Sequence, residues 1–181
     1  MSVGQYQEVE YASRLRDLFL GDLEELNLAV ADEVARPMVE EDIVVGPVGV
    51  QISDLTLFVV PGGKVYPNSP TQAELNTVNG VVYPTWCRHV HGTLIVQPQA
   101  TFVPDSSSVQ HATRVVCKLS DTLDMLFLRY IKLADWWAWL DVGSFSSVAA
   151  IQMPGTNQLV AAKQCALTIR VKERVDTRPT V

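Results

Sequence analysis

Apolar residues recur at helical spacing from Tyr11 through Leu15, Leu18, Phe19, Leu23, Leu26, Val30 and Val34, a stripe of roughly six turns. Charged residues such as Arg14, Arg16, Asp17, Glu24, Glu25 and Asp32 fill the other positions, and Pro37 stops the pattern. The spacing predicts a helix over 7–35, with Gly21 as a possible kink or close-packing point. From Ile43 the period becomes two. Val48, Val50 and Ile52 alternate on one parity and Leu55, Leu57 and Val59 on the other, so a bulge or turn is expected near Ser53 and Asp54. Pro61-Gly62-Gly63 ends that run, and the prolines, asparagines and glycines up to Thr85 read as a long loop with one weak helical hint at Thr71–Asn76.

Residues 86–97 then read as a strand, with Val90, Leu94 and Val96 on one face and Cys87, His89, His91, Thr93 and Ile95 on the other. The strongest stripe in the chain, Ala112, Val116, Leu119, Leu123, Leu126, Phe127, Tyr130, Leu133 and Ala134, predicts a second helix ending at Ala134, with N-cap candidates among 105–108. Trp139–Met153, a turn at 154–157, and Leu159–Lys172 predict a closing hairpin. In its last strand Cys165, Leu167, Ile169 and Val171 oppose Ala166, Thr168, Arg170 and Lys172, which makes one face buried and the other wet. The order predicts an α+β fold: an antiparallel or mixed sheet with two long helices on one face and a long loop insertion. We expect one domain over 1–175 and a short polar tail over 176–181, the whole run from Glu173 (ERVDTRPTV) lying outside the fold.

Composition narrows the function. Of 181 residues 48% are hydrophobic and 19% charged, as expected for a chain that folds. The net charge is -6 with no basic block, so tight nucleic-acid binding through the outer surface is not expected. Cys87, Cys117 and Cys165 are odd in number and widely spaced, unlike a secreted disulfide framework. The N-terminus lacks a signal-peptide pattern, and no apolar run is long enough to span a bilayer. A reducing cytoplasm is the expected compartment.

Candidate chemistry is sparse. Cys87, His89 and His91 sit at i, i+2 and i+4 on a strand and would supply three of four ligands of a tetrahedral zinc site; the alternative is a polar strand face turned to solvent or to a neighbouring subunit. Asp105, Ser108 and His111 include the residue types of a catalytic triad, yet three residues before a helix have no strained elbow, and capping explains them better. Asp121 with Asp124, and Glu40, Glu41 and Asp42, would make paired carboxylates or simply solvated faces, as would Glu10, Glu24 and Glu25. Gly62-Gly63-Lys64 lacks the glycine and hydroxyl of a phosphate loop, since Phe58 and Val65 stand there. Trp136, Trp137 and Trp139 cannot all enter one small core. They mark either a partner interface or a corner packed under the long loop. We therefore expect no catalytic residue, no metal and no cofactor.

The cadence strand His89–Gln97, helix Ala112–Ala134, strand Trp139-Leu140-Asp141-Val142-Gly143 and last strand Gln164–Glu173, behind a leading helix and an extended β region, resembles the tail terminator, or tail-completion, proteins of long-tailed bacteriophages. The resemblance implies a non-enzymatic virion protein, assembled in the host cytoplasm. Such a protein forms a homo-oligomeric ring, commonly hexameric, that stops growth of the tail tube and faces the neck or head. Its partners would be the tube protein and the head-tail connector proteins. DNA would only pass through the lumen, which an acidic balance suits. Expected interface residues are Lys64, Tyr66 and Asn68 in the loop, Trp136 and Trp137 at the aromatic corner, and Arg170 and Lys172 on the wet strand face. The alternatives are another connector, head-completion or tube protein, or a small metal-dependent enzyme using Cys87, His89 and His91.

Overall fold

The computed structural model describes residues 8–47, 54–66, 72–78, 81–102, 105–130, 132–134, 138–152 and 159–176. The leading stripe forms two helices, α1 (Glu8–Gly21) and α2 (Leu23–Val30), rather than one over 7–35. Asp22 N–H still donates to Leu18 O and Leu26 N–H to Asp22 O, so the break beside Gly21 bends the helical arm without severing it. The arm ends at Val30 because the chain folds back. The Asn27 amide clamps Met38, donating to its carbonyl at 3.0 Å and accepting its N–H at 2.6 Å.

The sheet is built on β4 (Val81–Phe102), 22 residues long. One flank of β4 carries β2 (Leu55–Val65) and then, toward its start, β3 (Gln72–Val78). Its other flank carries β9 (Cys165–Asp176) and, toward its end, β8 (Leu159–Ala162). β1 (Ile43–Val45) pairs parallel with β2, while β5 (Lys132–Ala134), β6 (Ala138–Val142) and β7 (Ala149–Gln152) complete the β9 side antiparallel. The sheet is mixed, and the fold is α+β. The core takes one parity of each long strand: Leu55, Leu57 and Val59 from β2, Val90, Leu94 and Val96 from β4, and Cys165, Leu167, Ile169 and Val171 from β9. Over that face lie α1 and the long helix α3 (Ser106–Phe127), which bury Leu15, Phe19, Val116, Leu119, Leu123 and Leu126. Each such leucine contributes roughly 2 kcal/mol of transfer free energy. Phe19 joins α1 to α3 and the turn after it, with its ring 6.2 Å from that of Phe127 and 5.9 Å from that of Tyr130.

Four expected boundaries move. The presumed loop from Pro61 to Thr85 is largely strand: β2 continues to Val65, and β3 forms a hairpin with the start of β4 through Gln72↔Cys87 and Val78↔Val81. The helical hint at Thr71–Asn76 is therefore overturned over Gln72–Asn76, because a cross-strand partner satisfies this polar backbone without any apolar period. Pro61-Gly62-Gly63 is a bulge between Pro61 and Lys64, not a stop. A Cβ on Gly62 would lie 2.6 Å from Thr93 O, so glycine alone permits the approach.

α3 ends at Phe127, seven residues before Ala134; Arg129 N–H donates to Leu126 O and Tyr130 N–H to Phe127 O, closing a turn ahead of β5. Buried Tyr130 continues the helical spacing only by coincidence, because its ring packs on Phe19 from that turn. The closing hairpin is broken on both arms, into β6 and β7 and into β8 and β9. Pro98 has no N–H to give, and there β4 changes partner from β9 to β8, with Lys163 N–H donating to Pro98 O at 3.3 Å. On the opposite arm Gly143 N–H donates to Ala166 O and Ser146 N–H to Gln164 O. Glu173–Asp176, expected outside the fold, belong to β9, with Asp176 opposite Thr85. Residues 177–181 of the tail and the expected switch at Ser53 lie outside the described residues, as does the 154–157 turn. Asp54 is an exposed bend.

Candidate interaction site at one end of the sheet

The face of the sheet turned away from the helices carries, in register, Val65 of β2, His91 of β4, Arg170 of β9 and Trp139 of β6. One step along the pleat His89 stands opposite Lys172. Period-two alternation and antiparallel register place these residues together although they come from four separate stretches of chain. Of the expected interface residues, Arg170 and Lys172 share this face, whereas Lys64, opposite Gly92 in the register, stands on the other one. Lys64 near the end of β2 and Tyr66 just past it are exposed, with the Lys64 ammonium 5.8 Å from the Tyr66 ring centre, a cation–π distance. Arg170 grips Asp141 across β9 and β6, Nε to Oδ2 at 2.5 Å, and holds that carboxyl below its ordinary pKa. Both partners are about half exposed, so the pair orients the guanidinium more than it stabilises the fold. Asn68, Trp136 and Trp137 lie outside the described residues, and of Lys172 and Trp139 only the strand position is described.

The same register bears on the zinc alternative. Cys87, His89 and His91 stand in register with Arg174, Lys172 and Arg170 on the β4–β9 ladder, and three cationic positions opposite a ligand set disfavour a divalent ion. His89 is exposed and His91 half-buried; the Cys87 side chain lies outside the described residues. Among the described residues no three His, Cys, Asp or Glu groups come together as a metal site.

Asp105 is the N-cap of α3. Its carboxylate accepts the Ser107 and Ser108 backbone N–H groups at 3.0 and 2.9 Å and both hydroxyls at 2.6 and 2.7 Å, and these bonds lower its pKa to about 2. The Ser108 hydroxyl therefore serves the cap. His111 instead directs Nδ1 at Glu33, 3.2 Å away, so the triad geometry does not form. Of the candidate carboxylates, Glu10, Glu25 and Glu40 are paired with Arg14, Arg129 and Arg16 at 2.6, 2.7 and 3.0 Å. Asp42 is buried and accepts from both terminal Arg36 nitrogens, at 2.7 and 3.0 Å. Asp124 is pushed up by desolvation and by Asp121, with Lys163 opposing.

Sequence reasoning missed one cluster. Glu33, just past α2, receives Lys118 at 2.9 Å, His111 at 3.2 Å and Arg114 at 3.7 Å, and the Lys118 hydrogen bond leads in lowering its pKa. The i, i+3, i+7 spacing of the three basic residues on α3 was the available signal. This cluster borders a cleft of about 400 Å³ floored by Leu55, Ala100, Phe102, Ala112 and Val115 and edged by Arg36 and His111. Its charged groups are bound to one another and hold the end of α2 against the start of α3.

The sequence matches no protein-family model, and no curated protein matches it. No helix among the described residues is long and apolar enough to cross a membrane.

Proposed function

We propose that this protein is a structural subunit that works by assembling with copies of itself, and specifically that it forms the ring that ends the tail tube of a long-tailed phage and joins it to the neck. The observation that carries the reading is the reach of the sheet. At ~3.3 Å per residue β4 extends roughly 70 Å, against roughly 33 Å for the 22 residues of α3. The first part of β4 is flanked by β3 and β9, and β3 packs chiefly on β4. A domain concerned only with its own core has no use for such an arm, whereas a ring subunit needs an element that reaches its neighbour. The exposed basic position Arg170 on the outer face and the exposed pair Lys64 and Tyr66 at the end of β2 suit a contact with the tube or the neck. The ring needs neither catalytic residue nor cofactor.

Absolute mass by light scattering, with negative-stain imaging of the same peak, tests the proposal. Closed rings of several subunits, or a monomer that forms rings only on added tail tubes, support it. Long tubes grown from the protein alone favour a tube protein instead. A monomer in every condition overturns it.

A further inference from the structure

We infer that subunits join edge to edge, the unpaired edge of β7 in one copy adding to the unpaired edge of β3 in the next; this rests on the ring reading and names its contact. Among the described residues β7 pairs only with β8, and β3 only with β4. A strand edge presents a row of backbone donors and acceptors whose natural complement is another strand. Native monomers blunt such edges with charge or proline. β7 does neither: Ala149, Ala150, Ile151 and Gln152 are all exposed.

The electrostatics of the two edges match. Residues 142–162 contain no Lys, Arg, Asp, Glu or His, and residues 65–87 contain one charged side chain, Glu74, in a chain with 14 Lys and Arg and 20 Asp and Glu. Pairing β7 with β3 brings one charged residue, Glu74 of β3, to the contact, whereas the faces bearing the Glu33, Arg129 and Arg170 ion pairs would lose several hydrated groups. Direction matches as well. β7 is antiparallel to β8 and β8 to β4, so β7 runs with β4, while β3 runs against it. Two copies in the same orientation therefore present β7 and β3 antiparallel. The edges occupy opposite corners of the sheet, β3 on the β2 side at the start of β4 and β7 on the β9 side at its end. Such a contact is head-to-tail and propagates until it closes as a ring.

Two readouts test this on the full chain. Ile151→Lys places a charge on the β7 edge, where the side chain is already 45% exposed, and should reduce the scattering mass to the 20.0 kDa monomer with unchanged circular dichroism. Independently, in a Cys117→Ser background, Asn76→Cys combined with Ile151→Cys, treated with a short bis-maleimide and compared with the background and each single variant, should give a ladder of covalent multimers only in the double variant. Assemblies that survive Ile151→Lys, with no ladder, overturn the edge pairing and leave the ring standing. Dimers from Ile151→Cys alone overturn it in favour of a two-fold contact. A wild type that is monomeric even with tail tubes removes both proposals.

Discussion

Phe19 is where the helical arm is fastened to α3, and its removal measures that joint. The side chain is fully buried and its ring meets both Phe127 and Tyr130. Phe19→Ala loses the transfer free energy of the ring, leaves a cavity that the flanking aromatics cannot fill without abandoning their own packing, and forfeits two aromatic pairs. Buried phenylalanine-to-alanine changes cost ~3–5 kcal/mol, and each aromatic pair accounts for ~0.5–1.5 kcal/mol beyond area, so about 4 kcal/mol is expected. Phe19→Leu keeps most of the volume and should cost about 1.5 kcal/mol or less. Urea denaturation followed by circular dichroism reads both; with a slope of ~2.5 kcal/mol per molar, Phe19→Ala moves the midpoint down by about 1.6 M. Protein concentration must be held constant, since the proposed assembly would add stability by mass action. A loss below about 1.5 kcal/mol for Phe19→Ala, or equal losses for the two variants, would refute the claim that this aromatic joint closes the core.

Other expectations follow from single contacts. A Cβ at Gly143 would sit 2.5 Å from Ala166 O, so Gly143→Ala should destabilise by ~1–3 kcal/mol in the same urea assay, with the strain falling at the β6–β9 ladder. The depressed Asp105 carboxyl makes the folded state bind fewer protons than the unfolded one between pH 2 and the ordinary 3.8. Its contribution is therefore complete above about pH 4 and is lost as pH falls towards 2; Asp105→Asn should flatten the urea midpoint against pH in that window. Burial pushes the Cys165 thiol up to about 11, whereas Cys117 is partly exposed. Iodoacetamide at neutral pH should label Cys117 in the folded protein and reach Cys165 only on unfolding, as peptide mass mapping will report.

Much of the architecture is legible along the chain. The helical stripe from Tyr11 marks the residues that α1 and α2 bury, the stripe from Ala112 marks the buried side of α3, and the alternation Cys165, Leu167, Ile169, Val171 marks the core face of β9. These are properties of period, and period is written in the sequence because a residue's face follows from its spacing alone. Asp105 is legible for the same reason, since a cap needs only its own next three residues. The two long arms of β structure are not legible. Whether Gln72–Val78 is loop or strand depends on whether β4 offers it a partner, and where the closing hairpin breaks depends on Pro98, some sixty residues away, ending its ladder with β9. Pairing across a sheet is a non-local choice and leaves no period behind it when the residues are polar.

The candidate site divides along the same line. The residue types at Lys64, Tyr66, Arg170 and Lys172 stand out in the sequence, but only the register of β2, β4, β9 and β6 brings Val65, His91, Arg170 and Trp139 into one row. By itself the sequence determined which side chains must be buried and how little charge lies in 65–87 and 142–162. The tertiary structure decided that β3 and β7, one within each stretch, lie on opposite sides of one sheet with a single partner each among the described residues, because an edge exists only once every other strand has chosen its partner.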